Sequence, residues 1–279
     1  MSRVSFPLSV PLHAACLSNV LVVAHRGSWK QAPENSLAAV EEAIALGADM
    51  VEIDVQATVD GALFVLHDET LDRTTDGSGN LDAQTATEVS RHRLRRSDGT
   101  LSGEAVPTLE AVLACARDRV LVNIDMKTSD LAGPVADAVE HAGMAGQTLM
   151  KATICDAGDI EWACSQRFHG SIPFMPRMRA RPGHFAQDLA RFAVMRPTMA
   201  EVRFGALEDI AAGREELARQ GMGLWANTLD VSHNLDLCDK RALADPDAVW
   251  GRLIDAGVTA IQTDETAALV AYLRKRGVR

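Results

Sequence analysis

The chain has 279 residues, 24% of them charged and 47% hydrophobic, which is the composition of an ordinary globular protein with room for a substantial core. Its formal net charge of −10 at pH 7 argues against nucleic acid as a partner, because the phosphate backbone would be repelled. The five cysteines are scattered and include no C-x-x-C pair, so we expect free thiols rather than disulfides or a zinc site.

The first 18 residues bear on where the protein resides. They contain one arginine, two prolines and a histidine, and they lack both the continuous apolar core of a signal peptide and the roughly 20 apolar residues of a membrane span. We therefore predict a cytoplasmic protein with no stable membrane insertion. Export stays open as the alternative, because this opening stretch is unusual.

Apolar, β-branched segments alternate with helix-like segments along the chain. The predicted strands are residues 19–25, 49–56, 119–127, 147–152, 171–175, 199–204, 221–227 and 258–263. The predicted helices include residues 36–47, 131–143, 206–221 and 247–257, several of which end at glycine. Repeated strand–helix alternation predicts a parallel sheet, and at this length a closed (β/α)8 TIM barrel formed by one domain, residues 1–279.

One connection is too long for this alternation. Between the second strand and the next helix, residues 60–108 form a stretch rich in Thr, Asp, Gly and Arg. Loops that follow the strands of such a barrel form its active face. We therefore predict a small insertion, residues 68–106, that caps the mouth of the barrel.

Acidic side chains are predicted to point into the barrel. Because side chains alternate along a strand, Glu52 and Asp54 share one face of the second strand, and Asp125 and Lys127 share one face of the third. The apolar residues between them must meet the outer helices, so the charged set faces inward. Burying an unpaired carboxylate costs on the order of several kcal/mol. The residues themselves leave two explanations open: a hard divalent cation, or a salt-bridge network with Arg26 and Lys127.

Two histidines end strands near this acidic cluster. His25 closes the first strand, and His67 follows the short apolar run 63–66. Because an imidazole titrates near neutral pH, two of them can supply the acid and the base that a reaction needs. Arg26 adds a fixed, forked cation of the kind that binds oxyanions. The combination predicts an enzyme that acts on a phosphate-like group.

Four motifs occur in order between Ala24 and Gly79. They are H-R-G at 25–27, P-E-N-S at 33–36, E-I-D-V at 52–55 and H-D-E-T-L-D-R-T-T at 67–75. This stretch resembles the opening of the glycerophosphodiester phosphodiesterases, which are phospholipase C-like TIM-barrel enzymes. Looser similarity continues at residues 107–113, 224–227 and 257–265.

The resemblance implies roles for individual residues. It implies an acid/base pair formed by His25 and His67, phosphate binding by Arg26 with the loop residue Glu34 nearby, and metal binding by Glu52, Asp54 and Asp125. Asp125 stands where the family usually has a glutamate, which leaves the preferred metal open. Lys127 is expected to share the phosphate charge with Arg26. The position of Trp225 on the inward side of the seventh strand leaves two expectations open: a core residue, or a residue near the mouth that packs against the leaving alcohol.

The sequence thus predicts a phosphoric diester hydrolase with a small-molecule substrate, a glycerophosphodiester that is cleaved to glycerol 3-phosphate and an alcohol. The predicted cofactor is one divalent cation, Mg²⁺ or Ca²⁺, with Mn²⁺ and Zn²⁺ as alternatives. The nearest rival is the same chemistry on a lysophospholipid, a sugar phosphodiester or a synthetic organophosphate diester.

Two other classes of protein fit the residues less well. A glycoside hydrolase is disfavoured because Glu52 and Asp54, two apart on one strand, do not flank a sugar bond from both faces. A non-catalytic phosphoester-binding protein has no need for His25 and His67. The sequence leaves open the alcohol, the metal, the nucleophile (water or a neighbouring hydroxyl group of the substrate), the division of roles between the histidines, and homo-oligomer formation.

Overall fold

The computed structural model describes residues 19–279. The stretch 1–18, on which the prediction of localisation rests and which includes Cys16, lies outside the described residues. Among residues 19–279, no helix has both the length and the apolar character needed to cross a bilayer. Each cysteine in that range is a free thiol.

The strands alternate with helices in the order that the sequence predicts. Within residues 19–279 they are β1 (Leu21–His25), β2 (Met50–Ala57), β3 (Leu63–Val65), β4 (Arg93–Arg95), β5 (Leu101–Ala105), β6 (Leu121–Met126), β7 (Thr148–Thr153), β8 (Phe174–Arg179), β9 (Met199–Arg203), β10 (Gly223–Leu229), β11 (Ser232–His233) and β12 (Ala260–Thr263).

Eight of these strands form a closed parallel barrel. Their order around the sheet is β1-β12-β10-β9-β8-β7-β6-β2, and β1 also pairs with β2, which closes the ring. The short strand β3 pairs antiparallel with the end of β2. The predicted (β/α)8 TIM barrel with an insertion after its second strand is therefore confirmed.

The helices follow the barrel strands. Within the same residues they are α1 (Leu37–Leu46), α2 (Ala86–Val89), α3 (Leu109–Ala116), α4 (Ala132–His141), α5 (Ala157–Ser165), α6 (Phe185–Phe192), α7 (Leu207–Ala211), α8 (Arg214–Gln220), α9 (Asp239–Ala244), α10 (Arg252–Asp255) and α11 (Thr266–Arg276). A π-helical turn, Asp247–Gly251, leads into α10.

Helix α1 begins and ends at residues that favour its boundaries. The Ser36 hydroxyl accepts a hydrogen bond from the backbone N–H of Ala39 at 3.0 Å, which satisfies one of the unpaired donors of the first turn. Gly47 ends the helix in the left-handed region, with φ of 89°. The loop before α1 therefore has a fixed end, which matters because it carries predicted site residues.

Two predicted elements differ from the structure. The fifth barrel strand was predicted at 171–175 and lies at Phe174–Arg179, because its charged residues Arg177 and Arg179 alternate with buried apolar ones and hide the strand from a search for apolar runs. The predicted helix 206–221 is broken into α7 and α8. At the break, a Cβ on Gly213 would lie 2.3 Å from the Phe185 ring, so the chain is tightly packed there.

The described residues form two compact units. One is Ala24–Met150, which contains β2, β3, β6 and the insertion. The other combines the described residues up to Val23 with Lys151–Arg279 and contains β8, β9, β10 and β12. The assignment of residues 1–279 to a single domain stays a prediction.

The insertion packs around a hydrophobic cluster that it shares with β3 and the residue after that strand. Its hairpin β4–β5, helix α2 and flanking turns enclose a buried cluster formed by Phe64, Leu66, Leu71, Leu81, Val89, Leu94 and Val106. Its arginines donate hydrogen bonds to backbone carbonyls: Arg95 Nε lies 2.8 Å from the carbonyl oxygen of Thr75, and Arg96 Nε lies 3.2 Å from that of Gln31. The second contact ties the insertion to the loop that follows β1.

Candidate active site

The chain leaves β1 through two consecutive residues in the left-handed region. Arg26 has φ of 53° and Gly27 has φ of 79°. A Cβ on Gly27 would lie 2.7 Å from the carbonyl carbon of Ala39, so glycine is required here by space as well as by conformation. The Asn35 N–H donates to the Arg26 carbonyl at 3.0 Å and closes the loop. This turn brings the Arg26 backbone N–H to 3.3 Å from Oε2 of Glu52.

Three carboxylates meet between β2 and β6. The register of these strands sets Asp54 opposite Asp125, while Glu52 precedes Asp54 by two residues on the same face. Glu52 and Asp54 are each only 2% exposed. One carboxylate oxygen from each of the three residues lies within 4.8 Å of the others. The structure thus brings together the three residues that the sequence predicts as metal ligands.

Asp54 is surrounded by hydrogen-bond donors and positive charge. Lys127 Nζ lies 2.5 Å from its Oδ1, while Asn35 Nδ2 at 2.9 Å and Arg26 Nε at 3.3 Å face its Oδ2. Burial raises the pKa of Asp54, but the charges of Lys127, Arg26 and His67 outweigh burial, and the pKa lies well below its usual value. Asp54 is therefore ionised at neutral pH.

The donor set of this cluster suits a hard divalent cation. Glu52, Asp54 and Asp125 offer carboxylate oxygens, the ligand type that Mg²⁺ and Ca²⁺ prefer. Glu52 and Asp54 are buried, and a bound cation would offset the cost of removing their charges from water. The residues present therefore fit the predicted metal.

The two predicted acid/base residues have different surroundings. His25 ends β1 and is buried, with 7% of its surface exposed. The His67 side chain is 38% exposed, and its Nδ1 lies 2.7 Å from Oδ1 of Asp68. A protonated Nδ1 donates to that carboxylate and leaves Nε2 for a second partner. His67 is thus a half-exposed imidazole whose ring is held at one nitrogen.

Glu34 and Asp68 are both held by arginines. Arg26 Nη1 donates to Glu34 Oε1 at 2.7 Å. Arg73 donates to both oxygens of Glu34 at 2.8 Å, and to both oxygens of Asp68 at 2.6 and 2.8 Å. Burial raises the pKa of Glu34, but the hydrogen bonds from Arg73 and the charge of Arg26 lower it by more. The pKa of Glu34 therefore lies below its usual value. The Arg73 hydrogen bonds lower the pKa of Asp68 to about 2.

Three residues connect the site through contacts that sequence reasoning did not predict, although it placed Asn35 in the loop beside Glu34. Asn35 donates to Asp54 from a left-handed conformation, with φ of 57°, that asparagine tolerates better than most residues. Asp68 and Arg73 join His67 to Glu34. Both lie inside the motif at 67–75. An acidic residue followed five positions later by an arginine was the sequence signal that could have indicated their contact.

Trp225 lies in the other unit, on β10, and is fully buried. Its indole N–H donates to Asn227 Oδ1 at 2.7 Å, and Asn227 Nδ2 donates to Glu201 Oε1 at 3.1 Å. Lys151 Nζ lies 3.4 Å from the other oxygen of Glu201. The members of this polar row come from β7, β9 and β10, and the contacts with Glu201 and Lys151 were not predicted from the sequence. The contact of Trp225 with substrate stays a prediction.

Two protein-family models match the chain. The model of the glycerophosphoryl diester phosphodiesterase family matches residues 25–151, and a model described as a domain of unknown function matches residues 174–273. The first match includes every predicted site residue except Trp225.

Relatives and solved structures extend the similarity along the chain. A glycerophosphodiester phosphodiesterase of Caldanaerobacter subterraneus subsp. tengcongensis is 29% identical over 272 residues, which cover 92% of this chain and 99% of that protein. The crystal structure of a glycerophosphodiester phosphodiesterase from Agrobacterium tumefaciens matches with a TM-score of 0.68 and 26% identity, covering 90% of this chain and 99% of that one. An Oleispira antarctica phosphodiesterase in complex with the product sn-glycerol-3-phosphate shares the fold, with a TM-score of 0.67, 21% identity and coverage of 94% and 99%.

Proposed function

The chain belongs to the glycerophosphodiester phosphodiesterase family of phosphoric diester hydrolases, and we propose that it is a metal-dependent enzyme that hydrolyses glycerophosphodiesters to glycerol 3-phosphate and an alcohol. The observation that carries the proposal is the cluster of Glu52, Asp54 and Asp125, with Arg26 and Lys127 against it. The product sn-glycerol-3-phosphate bound to the Oleispira antarctica phosphodiesterase supports the substrate class.

The proposed cofactor is one divalent cation held by Glu52, Asp54 and Asp125. Mg²⁺ and Ca²⁺ are the first choices because all three ligands are carboxylates, and Mn²⁺ and Zn²⁺ are the alternatives. When bound, such a cation supplies Lewis-acid polarisation of the phosphate oxygens.

Arg26 and Lys127 bind the phosphate group in this proposal. Both lie against Asp54, so their positive charges are held beside the carboxylate cluster. Glu34 accepts from Arg26 Nη1 and holds one arm of the guanidinium in place. Fixed donors of this kind stabilise charge that develops on the phosphoryl oxygens, because they need little reorganisation during the reaction.

The two histidines divide the proton transfers. His25 removes the proton from the nucleophile. The nucleophile is water, which gives glycerol 3-phosphate directly, or the glycerol hydroxyl group beside the phosphate, which gives a cyclic phosphate that water then opens to glycerol 3-phosphate. His67 gives a proton to the departing alkoxide, whose loss is otherwise slow. The contact of His67 with Asp68 supports this assignment, because the carboxylate binds Nδ1 and leaves Nε2 for the alkoxide.

The insertion 68–106 is proposed to cap the site and to select the alcohol. It is anchored to the loop after β1 by Arg96, which donates to the Gln31 carbonyl, and by Arg73, which binds Glu34. Trp225 is the further proposed contact for the alcohol; because its side chain is fully buried, this contact requires the neighbouring side chains to move aside.

A substrate panel with metal-stripped enzyme tests the proposal. Glycerophosphocholine, glycerophosphoethanolamine, a lysophospholipid and a nitrophenyl phosphodiester are offered before and after readdition of Mg²⁺, Ca²⁺, Mn²⁺ or Zn²⁺. We expect no turnover without metal, and we expect glycerol 3-phosphate as the product of the two glycerophosphodiesters once metal is restored. Asp125→Asn should abolish the response to metal, whereas Asp82→Asn, at an exposed position of the insertion, should not.

Two results of the panel would change the proposal. Full activity in excess chelator would contradict metal dependence. Faster turnover of a lysophospholipid, sugar phosphodiester or synthetic diester than of every glycerophosphodiester would keep the chemistry and overturn the substrate.

A further inference from the structure

Arg73 holds two carboxylates that come from different parts of the chain. Its Nε and Nη2 donate to Asp68, five residues away, and its Nη1 and Nη2 donate to Glu34, 39 residues away. Each carboxylate is bound through both of its oxygens, the geometry in which a guanidinium fixes the orientation of its partner as well as its position. Neither carboxylate can rotate without breaking a hydrogen bond to Arg73.

On one side, this contact reaches His67. Oδ1 of Asp68 lies 2.8 Å from Arg73 Nη2 and 2.7 Å from Nδ1 of His67, so one oxygen serves both groups. The plane of the Asp68 carboxylate determines where the imidazole finds its hydrogen-bond partner. Arg73 therefore controls the orientation of the His67 ring through Asp68.

On the other side, the same guanidinium reaches Arg26. Oε1 of Glu34 accepts from Arg26 Nη1 at 2.7 Å and from Arg73 Nη2 at 2.8 Å. Alternating charges thus run from Arg26 through Glu34, Arg73 and Asp68 to His67. The two ends are the proposed phosphate-binding residue and the proposed general acid.

Stability alone gives little reason for this arrangement. The Arg73 side chain is 49% exposed, and ion pairs at such positions contribute little to folding because water screens them and their side chains lose conformational freedom. Helix α8 offers a comparison: Arg219 binds both oxygens of Glu216 with the same fork and is also exposed, but it is not connected to a histidine.

We propose that Arg73 is a positioning residue that sets the orientations of His67 and Arg26 together, through Asp68 and Glu34. The proposal rests on the proposed function and adds to it a residue that need not touch the substrate. Loss of Arg73 should mainly weaken protonation of the leaving group, because the acid then samples orientations that do not face the alkoxide. A smaller rise in KM should follow from the freed guanidinium of Arg26.

The test compares Arg73→Gln and Arg73→Lys with the matched control Arg219→Gln. We expect Arg73→Gln to lower kcat on glycerophosphoethanolamine by about 10–100-fold and kcat on a nitrophenyl diester by less than about fivefold, because a nitrophenolate leaves without a proton. Arg73→Lys keeps the charge and loses the fork, so it should restore little of the kcat. Thermal midpoints of all three variants should agree.

A double variant separates action through Asp68 from a parallel effect. If Arg73 acts through Asp68, the double variant Asp68→Asn/Arg73→Gln should have nearly the same kcat on glycerophosphoethanolamine as Asp68→Asn alone. Three results would overturn the proposal. The first is a double variant whose loss of kcat is the product of the two single losses. The others are equal losses of kcat on both esters in Arg73→Gln, and a wild-type kcat in Arg73→Lys.

One measurement is independent of turnover. In the wild-type protein, the ring ¹⁵N spectrum of His67 should show a hydrogen-bonded Nδ1 proton, and this signal should weaken or exchange rapidly in Arg73→Gln but not in Arg219→Gln. If the wild type cleaves no diester, the proposed function fails and the spectrum still decides the positioning role. An unchanged His67 spectrum in Arg73→Gln would contradict that role.

Discussion

Asp54 shows how a buried acidic group is kept ionised. It is surrounded by Lys127, Arg26 and Asn35, and its backbone N–H lies 3.3 Å from the Asn35 side-chain oxygen. These contacts hold the carboxylate in one orientation and offset the cost of burial. The same donors make the position intolerant of change, because removal of Asp54 would leave two cations beside a buried space.

By the same reasoning, we expect Asp125 to tolerate substitution better than Asp54 does. It is less buried than Glu52 and Asp54, and it is one methylene shorter than the glutamate of the family pattern. We expect Asp125→Glu to fold normally and to keep activity within about tenfold, while the ratio of rates with Mg²⁺ and Ca²⁺ changes, because ligand length alters the size of the site. Steady-state rates with each ion check this. Complete loss of activity in a folded variant would show that the site requires the shorter side chain.

Asp239 is a buried acid outside the proposed site. It accepts hydrogen bonds from the hydroxyls of Thr228 and Thr263 and from the backbone N–H of Asp264. Burial nevertheless raises its pKa to about 6. An aspartate in an unfolded chain titrates near pH 4, so the folded state holds this proton more tightly than the unfolded state does.

The sign of the resulting pH dependence follows from that difference. The stabilisation linked to Asp239 is fully present below about pH 4 and is lost as the pH rises to about 6. We expect the free energy of unfolding of the wild type to fall by about 2–3 kcal/mol relative to that of Asp239→Asn between pH 4 and pH 7. Urea denaturation of both proteins across this range measures it. Parallel curves would show that folding does not raise the pKa of Asp239.

At the scale of elements, the insertion is a small folded body rather than a loose loop. Leu94, on β4, is fully buried in its cluster, whereas Leu101, on β5 of the same hairpin, is 48% exposed. This hairpin therefore offers a buried leucine whose substitution tests the cluster and an exposed leucine that serves as the control.

We expect Leu94→Ala to destabilise the insertion by about 2–5 kcal/mol and Leu101→Ala by less than about 1 kcal/mol, because only the first leaves a cavity. Native-state hydrogen exchange of β4 and β5 measures the difference. Equal protection in the two variants would mean that the cluster contributes little to the stability of the insertion.

The sequence predicted some elements and contacts better than others, for physical reasons. Alternation along β2 was enough to place Glu52 and Asp54 on one face, because a strand has a fixed period. The fifth strand was misplaced because Arg177 interrupts its apolar pattern. The contact between Arg73 and Glu34 could not be predicted, since the two residues are 39 positions apart and only the fold brings them together.

At the scale of the whole molecule, the single-domain prediction has a direct consequence. The strand β2 belongs to the unit Ala24–Met150 and β9 to the other unit. If the chain unfolds as one domain, the most protected amides of both strands should exchange only through global unfolding, with the same free energy. Different values for β2 and β9 would show that the units unfold separately.

The most direct test of the account is to locate the metal. Crystals grown with Mn²⁺, whose anomalous scattering identifies it, should show one strong peak bound by carboxylate oxygens of Glu52, Asp54 and Asp125, and the peak should be lost in the folded, inactive Asp125→Asn variant. A peak elsewhere, or no peak at a Mn²⁺ concentration that supports full activity, would contradict the proposal that these three residues form the metal site.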